Sequence, residues 1–327
     1  MNRFGRLFSV EIFGESHGPA VGAVIDGCPA GIPLAGDDFT EAMARRRSGA
    51  AGTTPRREAD IPEIVSGLFE GHTTGTPLTI LIRNTNVRSR DYDKLKDLPR
   101  PGHADFVARE KYRGFSDHRG GGHFSGRLTA PLVAAGVVAA KVLKGMTIRA
   151  TLLEVGGSKE IEKTVQQAME EHDSVGGLVE CRVQGVPVGL GEPFFDGVEA
   201  VLGHALFSIP AVKGVEFGAG FAAARMRGSE HNDLLTDVKG TTATNHAGGI
   251  VGGITNGNEL LFRIAVKPTS SIGKAQQTIN MKTGESDELV VEGRHDACIA
   301  LRVPPVVEAV TAITLADLWL IRKAYEF

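Results

Sequence analysis

The chain has few of the residues that build stapled or metal-bound folds. Its 327 residues include only three cysteines, Cys28, Cys181 and Cys298, and none of them belongs to a CxxC pair. The odd number and the wide spacing exclude a disulfide framework and a cysteine-built zinc site. They fit a reducing compartment, and we expect no metal site.

The sequence also lacks the signals of membrane and nucleic-acid proteins. The first ten residues contain no apolar run of signal-peptide length, and we find no stretch of 18 apolar residues that would predict a spanning helix. The formal net charge of −3 disfavours general nucleic-acid binding. We therefore expect a cytoplasmic protein that binds neither a membrane nor a nucleic acid.

Positive charge is unevenly distributed along the chain. Of the 23 arginines, 15 lie in residues 1–127, where there are only three lysines. A guanidinium is a planar fork that binds carboxylate and phosphate oxygens in pairs, whereas a lysine is a point charge. Although most single arginines are expected to be surface ion-pair partners, the arginine-rich half predicts a specific anion site.

Apolar periodicity predicts a mixed fold. Strands are indicated by alternating apolar residues, and helices by longer patterns rich in alanine, valine, leucine and glutamate. Because the two kinds of element do not alternate strictly, α+β layers are favoured over a doubly wound sheet. No linker divides the chain, so residues 1–327 are expected to form one domain. The predicted strands are 8–13, 21–26, 78–83, 147–155, 178–184 and 260–266, and the predicted helices are 38–45, 128–143, 161–172, 196–207 (opened by an Asp196 cap) and 305–324.

A weak internal echo suggests a duplicated core. Ser16-His17 precedes a strand that ends near Asp26-Gly27, and Asn245-His246 precedes a segment that ends at Asn256-Gly257. In both places a polar loop with a histidine enters a strand and a glycine turn. Duplication and chance explain this echo about equally well.

Six short segments concentrate residues that bind anions or move protons. Histidine in a small-residue turn can transfer protons near neutral pH, and glycines before a helix allow backbone N–H groups to converge on an anion. Each segment alone also fits an ordinary turn, but together they predict a multiply anionic, phosphorylated ligand, or two such ligands. The segments are GESHG at 14–18, RRR at 45–47, RPGHAD at 100–105, RGGGHFSGR at 119–127, KPTSS at 267–271 and GRHD at 293–296.

In order and spacing, these segments resemble the blocks of the chorismate synthase family, which also include NHAGGI-x-GG, here 245–253. The resemblance covers the chain from Gly5 to about Ala309. It implies an anti 1,4-elimination of phosphate from 5-enolpyruvylshikimate 3-phosphate that gives chorismate and needs reduced FMN. It also implies an α+β fold, a single-domain layered β-α-β sandwich with internal pseudo-symmetry, assembled as a homotetramer.

The resemblance assigns roles to individual residues. His17 and His103 match two catalytic histidines, one for the leaving phosphate and one for the flavin, in an order that stays open. Asp296 matches an aspartate near flavin N5 in the path of proton removal. The substrate-facing arginines are Arg46, Arg100, Arg127 and Arg294. The FMN contacts are His123, Phe124, Ser125, Ala211, Gly252, Lys267, Pro268, Thr269, Ser270, Ser271 and again Arg294.

Three departures from the family pattern put single contacts in doubt. His123-Phe124 stands where many members have Arg-Ser, and Pro210 replaces an asparagine. The loop 50–52 lacks an arginine that many members carry, so that Arg56 or Arg57 would have to replace it.

Alternative functions stay open from the residues alone. One is a bifunctional form that also reduces its own FMN with NADPH. Another is a flavin oxidoreductase, for which no dinucleotide fingerprint is present. The last is a non-catalytic flavin- or anion-binding protein, which would tolerate loss of His17, His103 or Asp296.

Overall fold

In the computed structural model, the first half of the chain forms a five-stranded antiparallel sheet. The structure describes residues 2–49, 51–54, 58–86, 94–291 and 295–326. The strands are β1 (Arg3–Phe4), β2 (Ser9–Gly14), β3 (Ala20–Asp26), β4 (Pro62–Ser66), β5 (Leu68–Phe69), β6 (His72–Thr73) and β7 (Leu78–Arg83). β5 and β6 form a separate hairpin, and the others lie in the order β1-β2-β3-β7-β4. Alternate residues of β7 are fully buried, as the period of two predicts for one covered face.

The second half forms a four-stranded antiparallel sheet and two small hairpins. Its strands are β8 (Thr147–Val155), β9 (Gly177–Gln184), β10 (Val212–Phe217), β11 (Ile250–Val251), β12 (Ile254–Thr255), β13 (Leu260–Val266), β14 (Gln276–Ile279) and β15 (Ser286–Leu289). The sheet has the order β10-β13-β9-β8, while β11 pairs with β12 and β14 with β15.

The part of the chain that the structure describes contains seven α-helices, two of which form a layer between the sheets. They are α1 (Thr40–Arg46), α2 (Asp105–Lys111), α3 (Thr129–Val142), α4 (Ile161–Glu170), α5 (Val198–Leu206), α6 (Gly228–His231) and α7 (Pro304–Ala324). The central layer is α3 packed on α7, with α3 against β3 and β7 and α7 against β8 and β9. A Cβ at Gly136 would lie 2.3 Å from that of Ala309, so glycine lets the two helices approach this closely.

Helix α7 is long and apolar enough to cross a membrane by length and composition. The sequence did not predict such a helix, because Glu308 and Asp317 interrupt its apolar residues. However, 72% of its most apolar 18-residue window is buried inside the fold. It packs here as a core helix, because both sheets and α3 supply the apolar surroundings that its side chains require.

The two halves repeat one topology. Apart from insertions, each half runs strand, strand, helix, strand, strand, long helix: β2-β3-α1-β4-β7-α3 and then β8-β9-α5-β10-β13-α7. If the four repeated strands of each half are numbered along the chain, they lie side by side in both sheets in the order first, second, fourth, third. The layered α+β sandwich with internal pseudo-symmetry is thus confirmed. Of the two explanations left open for the sequence echo, chance fits better, because His17 precedes the second strand of its half whereas His246 precedes the β11–β12 hairpin, which lies outside the repeat.

The six predicted strands and five predicted helices are confirmed with small shifts of their ends. Strands β1, β4 and β10 of the two main sheets and helices α2 and α6 were not predicted. The Asp196 cap was wrong, because Asp196 still belongs to a 3-10 turn and Gly197 occupies the position before α5. The carboxylate of Asp196 instead forms an exposed ion pair with Arg6.

Candidate active site

Loops from both halves surround a cavity of about 540 Å³, a size typical of small-molecule sites. Five of the six predicted segments contribute to its wall, and residues as distant in sequence as Arg46 and Arg302 meet there. The sixth segment, with His17, lies directly behind the wall. Arg294, Arg56 and Arg57 lie outside the described residues.

One side of the cavity is built around a buried aspartate between two arginines. Asp60 accepts a hydrogen bond from Arg46 Nη1 at 2.9 Å through one carboxylate oxygen and binds Arg127 Nη1 through the other. All three side chains are at least 95% buried. Because one carboxylate faces two guanidinium groups, the cluster keeps a net positive charge at the cavity wall.

Further hydrogen bonds fix both guanidinium groups. Arg46 donates to Thr129 Oγ1 at 3.0 Å and to the Gly126 carbonyl oxygen at 3.1 Å, and Arg127 donates to Asn84 Oδ1 at 2.9 Å. Burial lowers the pKa of Arg46 to about 9, although Asp60 opposes this change. Arg46 therefore remains a cation at neutral pH, and it carries a desolvation cost that a bound anion would reduce.

The arginine run at the end of α1 behaves as its geometry predicts. Successive residues fan around the helix end, and the three side chains take different environments. Arg45 forms a two-pronged ion pair with Glu308, Arg46 turns inward to Asp60, and Arg47 is exposed at the cavity rim. Of the three, Arg46 is the one buried in the cavity wall.

Asp296 lies on the same side of the cavity and is held by a partner that the sequence did not suggest. Arg302 donates to Asp296 through Nε at 3.1 Å and through Nη2 at 2.6 Å. The backbone N–H of Thr54 donates to the same carboxylate at 3.0 Å. Since the Gly52 carbonyl oxygen accepts from Ala297 N at 2.9 Å, the loop after α1 is tied to the loop of Asp296.

The RPGHAD segment contributes Arg100 and His103 to the cavity wall, with Asp105 behind them. Arg100 donates to both oxygens of Asp105 at 2.7 Å and to Ser271 Oγ at 2.9 Å. His103 Nδ1 lies 2.6 Å from Asp105 Oδ1. The bond to Ser271 joins this segment to the KPTSS loop.

The glycine run after Arg119 brings the two predicted catalytic histidines near one another. Gly120 and Gly121 have φ of +60° and +79°, which favours glycine. A Cβ at Gly120 would lie 2.6 Å from His17 Nε2, and one at Gly121 would lie 3.4 Å from His103 Nε2. Close approach to the His17 ring requires glycine at position 120, and at position 121 the positive φ favours glycine.

The run is less open to an anion than the sequence suggested. The Gly121 N–H donates to the His118 carbonyl oxygen at 3.2 Å, so this amide does not point at a ligand. His123 Nδ1 donates to the Gly14 carbonyl oxygen at 2.8 Å, and Ser16 N donates to Gly122 O at 3.1 Å. These bonds dock the run on the segment of His17.

The KPTSS loop gives the cavity a site suited to a phosphate. Lys267 Nζ donates to Ser270 Oγ at 2.8 Å. Burial, and then the nearby charge of Lys213, lower the pKa of Lys267. Thr269 Oγ1 is buried at the cavity wall with no hydrogen-bond partner among the described residues. Two neighbouring ammonium groups and an unused hydroxyl fit an anionic ligand.

The remaining predicted FMN contacts fall into two groups. His123, Phe124, Ser125 and Ala211 line the cavity together with the KPTSS loop. Ala211 has φ of +75°, a conformation that costs a non-glycine residue ~1–3 kcal/mol. Gly252 is not brought to this wall: it is exposed in the turn of the β11–β12 hairpin, with φ of +61°.

Sequence reasoning missed Asp60, Arg302 and Lys213, which all line the cavity. Each stands apart from the six segments, in a stretch without a glycine or histidine cluster to mark it. Arg302 follows Asp296 by six residues, so it was within reach as a local partner. No group of three or more histidine, cysteine or acidic side chains that could hold a metal occurs among the described residues.

The fold and the cavity define an enzyme of the layered β-α-β type with a cationic small-molecule site. The family model described as chorismate synthase matches residues 8–320. The chorismate synthase of Chitinophaga pinensis is 63% identical over 324 residues, covering 99% of this chain and 98% of the relative. That of Methanocaldococcus jannaschii is 48% identical, covering 97% and 96%. A crystal structure of chorismate synthase superposes with a TM-score of 0.74 at 26% identity, covering 97% of this chain and 93% of the other.

The chain belongs to the chorismate synthase family, and it is a lyase of that family. The family predicted from the six sequence segments is thereby confirmed.

Proposed function

We propose that the cavity is the active site in which this lyase eliminates phosphate from 5-enolpyruvylshikimate 3-phosphate to give chorismate, with reduced FMN bound beside the substrate. The observation that carries this proposal is that the Arg46–Asp60–Arg127 cluster and the Lys267–Lys213 pair line one cavity together with His103 and Asp296. His17 lies directly behind its wall. A substrate with one phosphate and two carboxylates requires several fixed cations, and fixed cations also stabilise charge that develops on a leaving phosphate.

The arginines would divide into two functions. Arg46 and Arg127 are held by Asp60 and by neighbouring acceptors, so they supply a fixed field and orient an anion through their remaining N–H groups. Arg100 is similarly fixed by Asp105. Such fixed dipoles and charges need no reorganisation when the reaction occurs. Arg47, exposed at the rim, is available to attract the substrate.

The residues present fit FMN. The flavin phosphate would be held by Lys267, Ser270 and the unused hydroxyl of Thr269, and Phe124 and Ala211 would provide packing surface on the cavity wall. When bound, reduced FMN supplies an electron-rich ring that offsets electron deficiency on the substrate. His103 and His17 would hold or move protons at their Nε2 atoms, which both lie beside the glycine run. Asp296, fixed by Arg302, would accept a proton.

We also propose that the whole chain is one domain, located in the cytoplasm, and that it acts as a homotetramer without a membrane or nucleic-acid partner. Buried apolar residues of both halves share one core, which supports a single domain. Phe194 and Phe195 are 90% and 93% exposed, and the adjacent Gly197 packs on Gly253 of the β11–β12 hairpin. Exposed aromatic side chains of this kind mark interfaces. Gly252, the neighbour of Gly253, is exposed beside them, so we place it at this subunit interface.

The proposed function is tested by an anaerobic assay with photoreduced FMN. The purified protein should release inorganic phosphate from 5-enolpyruvylshikimate 3-phosphate without consuming NADPH. His103→Ala should lower turnover at least tenfold while FMN binding changes little, and Arg127→Ala should mainly weaken substrate binding. If no phosphate is released, the proposal fails. If release instead consumes NADPH when no photoreduced flavin is supplied, the bifunctional form is favoured.

A further inference from the structure

The carboxylate of Asp105 lies directly behind His103 and has no role among the residues expected at the site. Its Oδ2 accepts from Arg100 N at 3.0 Å and from Arg100 Nε at 2.7 Å. Its Oδ1 accepts from Arg100 Nη2 at 2.7 Å and lies 2.6 Å from His103 Nδ1. The side chain is 10% exposed. Arg100 therefore holds the carboxylate in one position, in contact with the imidazole of His103.

This contact determines which nitrogen of His103 carries hydrogen. An ionised carboxylate only accepts hydrogen bonds, and a guanidinium only donates them. Without a hydrogen on Nδ1, two lone pairs would face each other at 2.6 Å, so Nδ1 donates to Asp105. Arg100 Nη2 also lies near this nitrogen, but at 3.0 Å, and it has a closer acceptor in Asp105 Oδ1 at 2.7 Å, so the shorter contact with Asp105 sets the hydrogen on Nδ1. The other nitrogen, Nε2, is then the atom that exchanges protons.

Asp105 remains ionised under these conditions. Burial opposes its charge, but hydrogen bonds from Arg100 and His103 and the positive charge of Arg100 outweigh burial and hold the pKa of Asp105 well below the usual range. A carboxylate of this kind fixes the tautomer of a catalytic histidine and stabilises its protonated form.

We propose that Asp105 is a positioning residue for the reaction: it holds His103 in the Nδ1–H tautomer and orients Nε2 for proton exchange. The inference rests on the proposed function, because it treats His103 as catalytic. In other Asp–His pairs, loss of the carboxylate leaves the fold intact but presents the wrong tautomer and lowers turnover. We expect Asp105→Ala to lower kcat at least tenfold.

A second cavity makes the proposal directly testable. It has a volume of about 170 Å³ and is lined by His103, Asp105 and Phe124. Formate is small enough to enter this space and to replace the missing carboxylate of Asp105→Ala. Sodium formate should therefore raise the kcat of Asp105→Ala at least fivefold over sodium chloride at equal ionic strength. It should not raise the kcat of an Asp105→Ala, His103→Ala double variant.

Asp117 provides a matched control. It binds Arg119 as Asp105 binds Arg100, accepting from the backbone N at 3.0 Å, from Nε at 2.9 Å and from Nη2 at 2.8 Å. No imidazole contact accompanies this pair among the hydrogen bonds that the structure describes for Asp117. Asp117→Ala should therefore keep kcat within twofold of wild type and should not respond to formate.

A spectroscopic measurement separates positioning from a merely structural role. Nitrogen-15 NMR of labelled histidine, with His103→Ala for assignment, should show hydrogen on Nδ1 of His103 in the wild type. In Asp105→Asn the Nε2–H tautomer should gain population. The proposal is overturned if the wild-type ring carries its hydrogen on Nε2, if Asp105→Ala keeps kcat within twofold, or if its kcat falls with no formate rescue and an unchanged tautomer. The NMR measurement needs no turnover, so it tests this inference even if the wild type releases no phosphate. Absence of phosphate release in the wild type would instead contradict the proposed function.

Discussion

Removing the charge of Asp60 should destabilise the protein far more than removing the charge of an exposed aspartate. Asp60 is 3% exposed and faces the two buried guanidinium groups of Arg46 and Arg127. Breaking a buried ion pair on one side costs ~3–5 kcal/mol. Because asparagine keeps one oxygen acceptor, we expect about 3 kcal/mol for Asp60→Asn. At roughly 2 °C per kcal/mol for a chain of this size, Tm should fall by about 6 °C.

The assay is thermal unfolding by circular dichroism at pH 7, with Asp173→Asn as the control. Asp173 pairs with Lys274 at 2.8 Å, and both side chains are more than one-third exposed. Exposed pairs contribute ~0–1 kcal/mol, so the Tm of this variant should fall by at most about 2 °C. Inorganic phosphate should raise the Tm of Asp60→Asn more than that of the wild type, because an added anion replaces the lost negative charge. Equal Tm values for the two variants would refute the central role of Asp60.

Three further predictions concern the cofactor loop, the glycine run and acid stability. Lys267→Ala should weaken FMN binding about tenfold, measured by quenching of flavin fluorescence, because the proposed charge-assisted contact with the flavin phosphate would be lost; unchanged affinity would remove Lys267 from the site. Gly120→Ala should lower kcat at least tenfold, since the new Cβ would collide with His17 at 2.5 Å. Gly114→Ala adds a Cβ at a similar φ of +80° in open space, so it should destabilise the chain without changing kcat. Equal kcat values for Gly120→Ala and Gly114→Ala would contradict the steric account. The lowered pKa of Asp105 contributes stability above about pH 4 that is lost as pH falls further. Between pH 5 and pH 3 the Tm of Asp105→Asn should therefore decline less than that of the wild type, and parallel declines would count against this linkage.

The regular core could be predicted from the sequence because its periodicity is local. Strand β7 alternates without interruption, and α3 ends before a glycine, so both were recognised. Strand β10 was missed because Gly214 interrupts its apolar pattern, and β4 was missed because it begins with a proline and is largely exposed at the sheet edge.

The site was predictable only where chemistry is concentrated in short segments. His103, Lys267 and Asp296 stand in such segments, and the structure places all three at one cavity. The partners of these three residues are local in sequence, but the partners of the buried arginines depend on tertiary packing. Asp60 meets Arg127 across 67 residues, and no spacing rule along the chain relates these two positions.

The measurement that tests the account most directly is FMN affinity with and without the substrate. If one cavity holds both ligands, the dissociation constant of FMN should fall when 5-enolpyruvylshikimate 3-phosphate is present, and the affinity for the substrate should rise by the same factor when FMN is present. Arg127→Ala should diminish this coupling while FMN binding alone is preserved. An FMN affinity that does not change across saturating substrate concentrations would contradict a shared cavity.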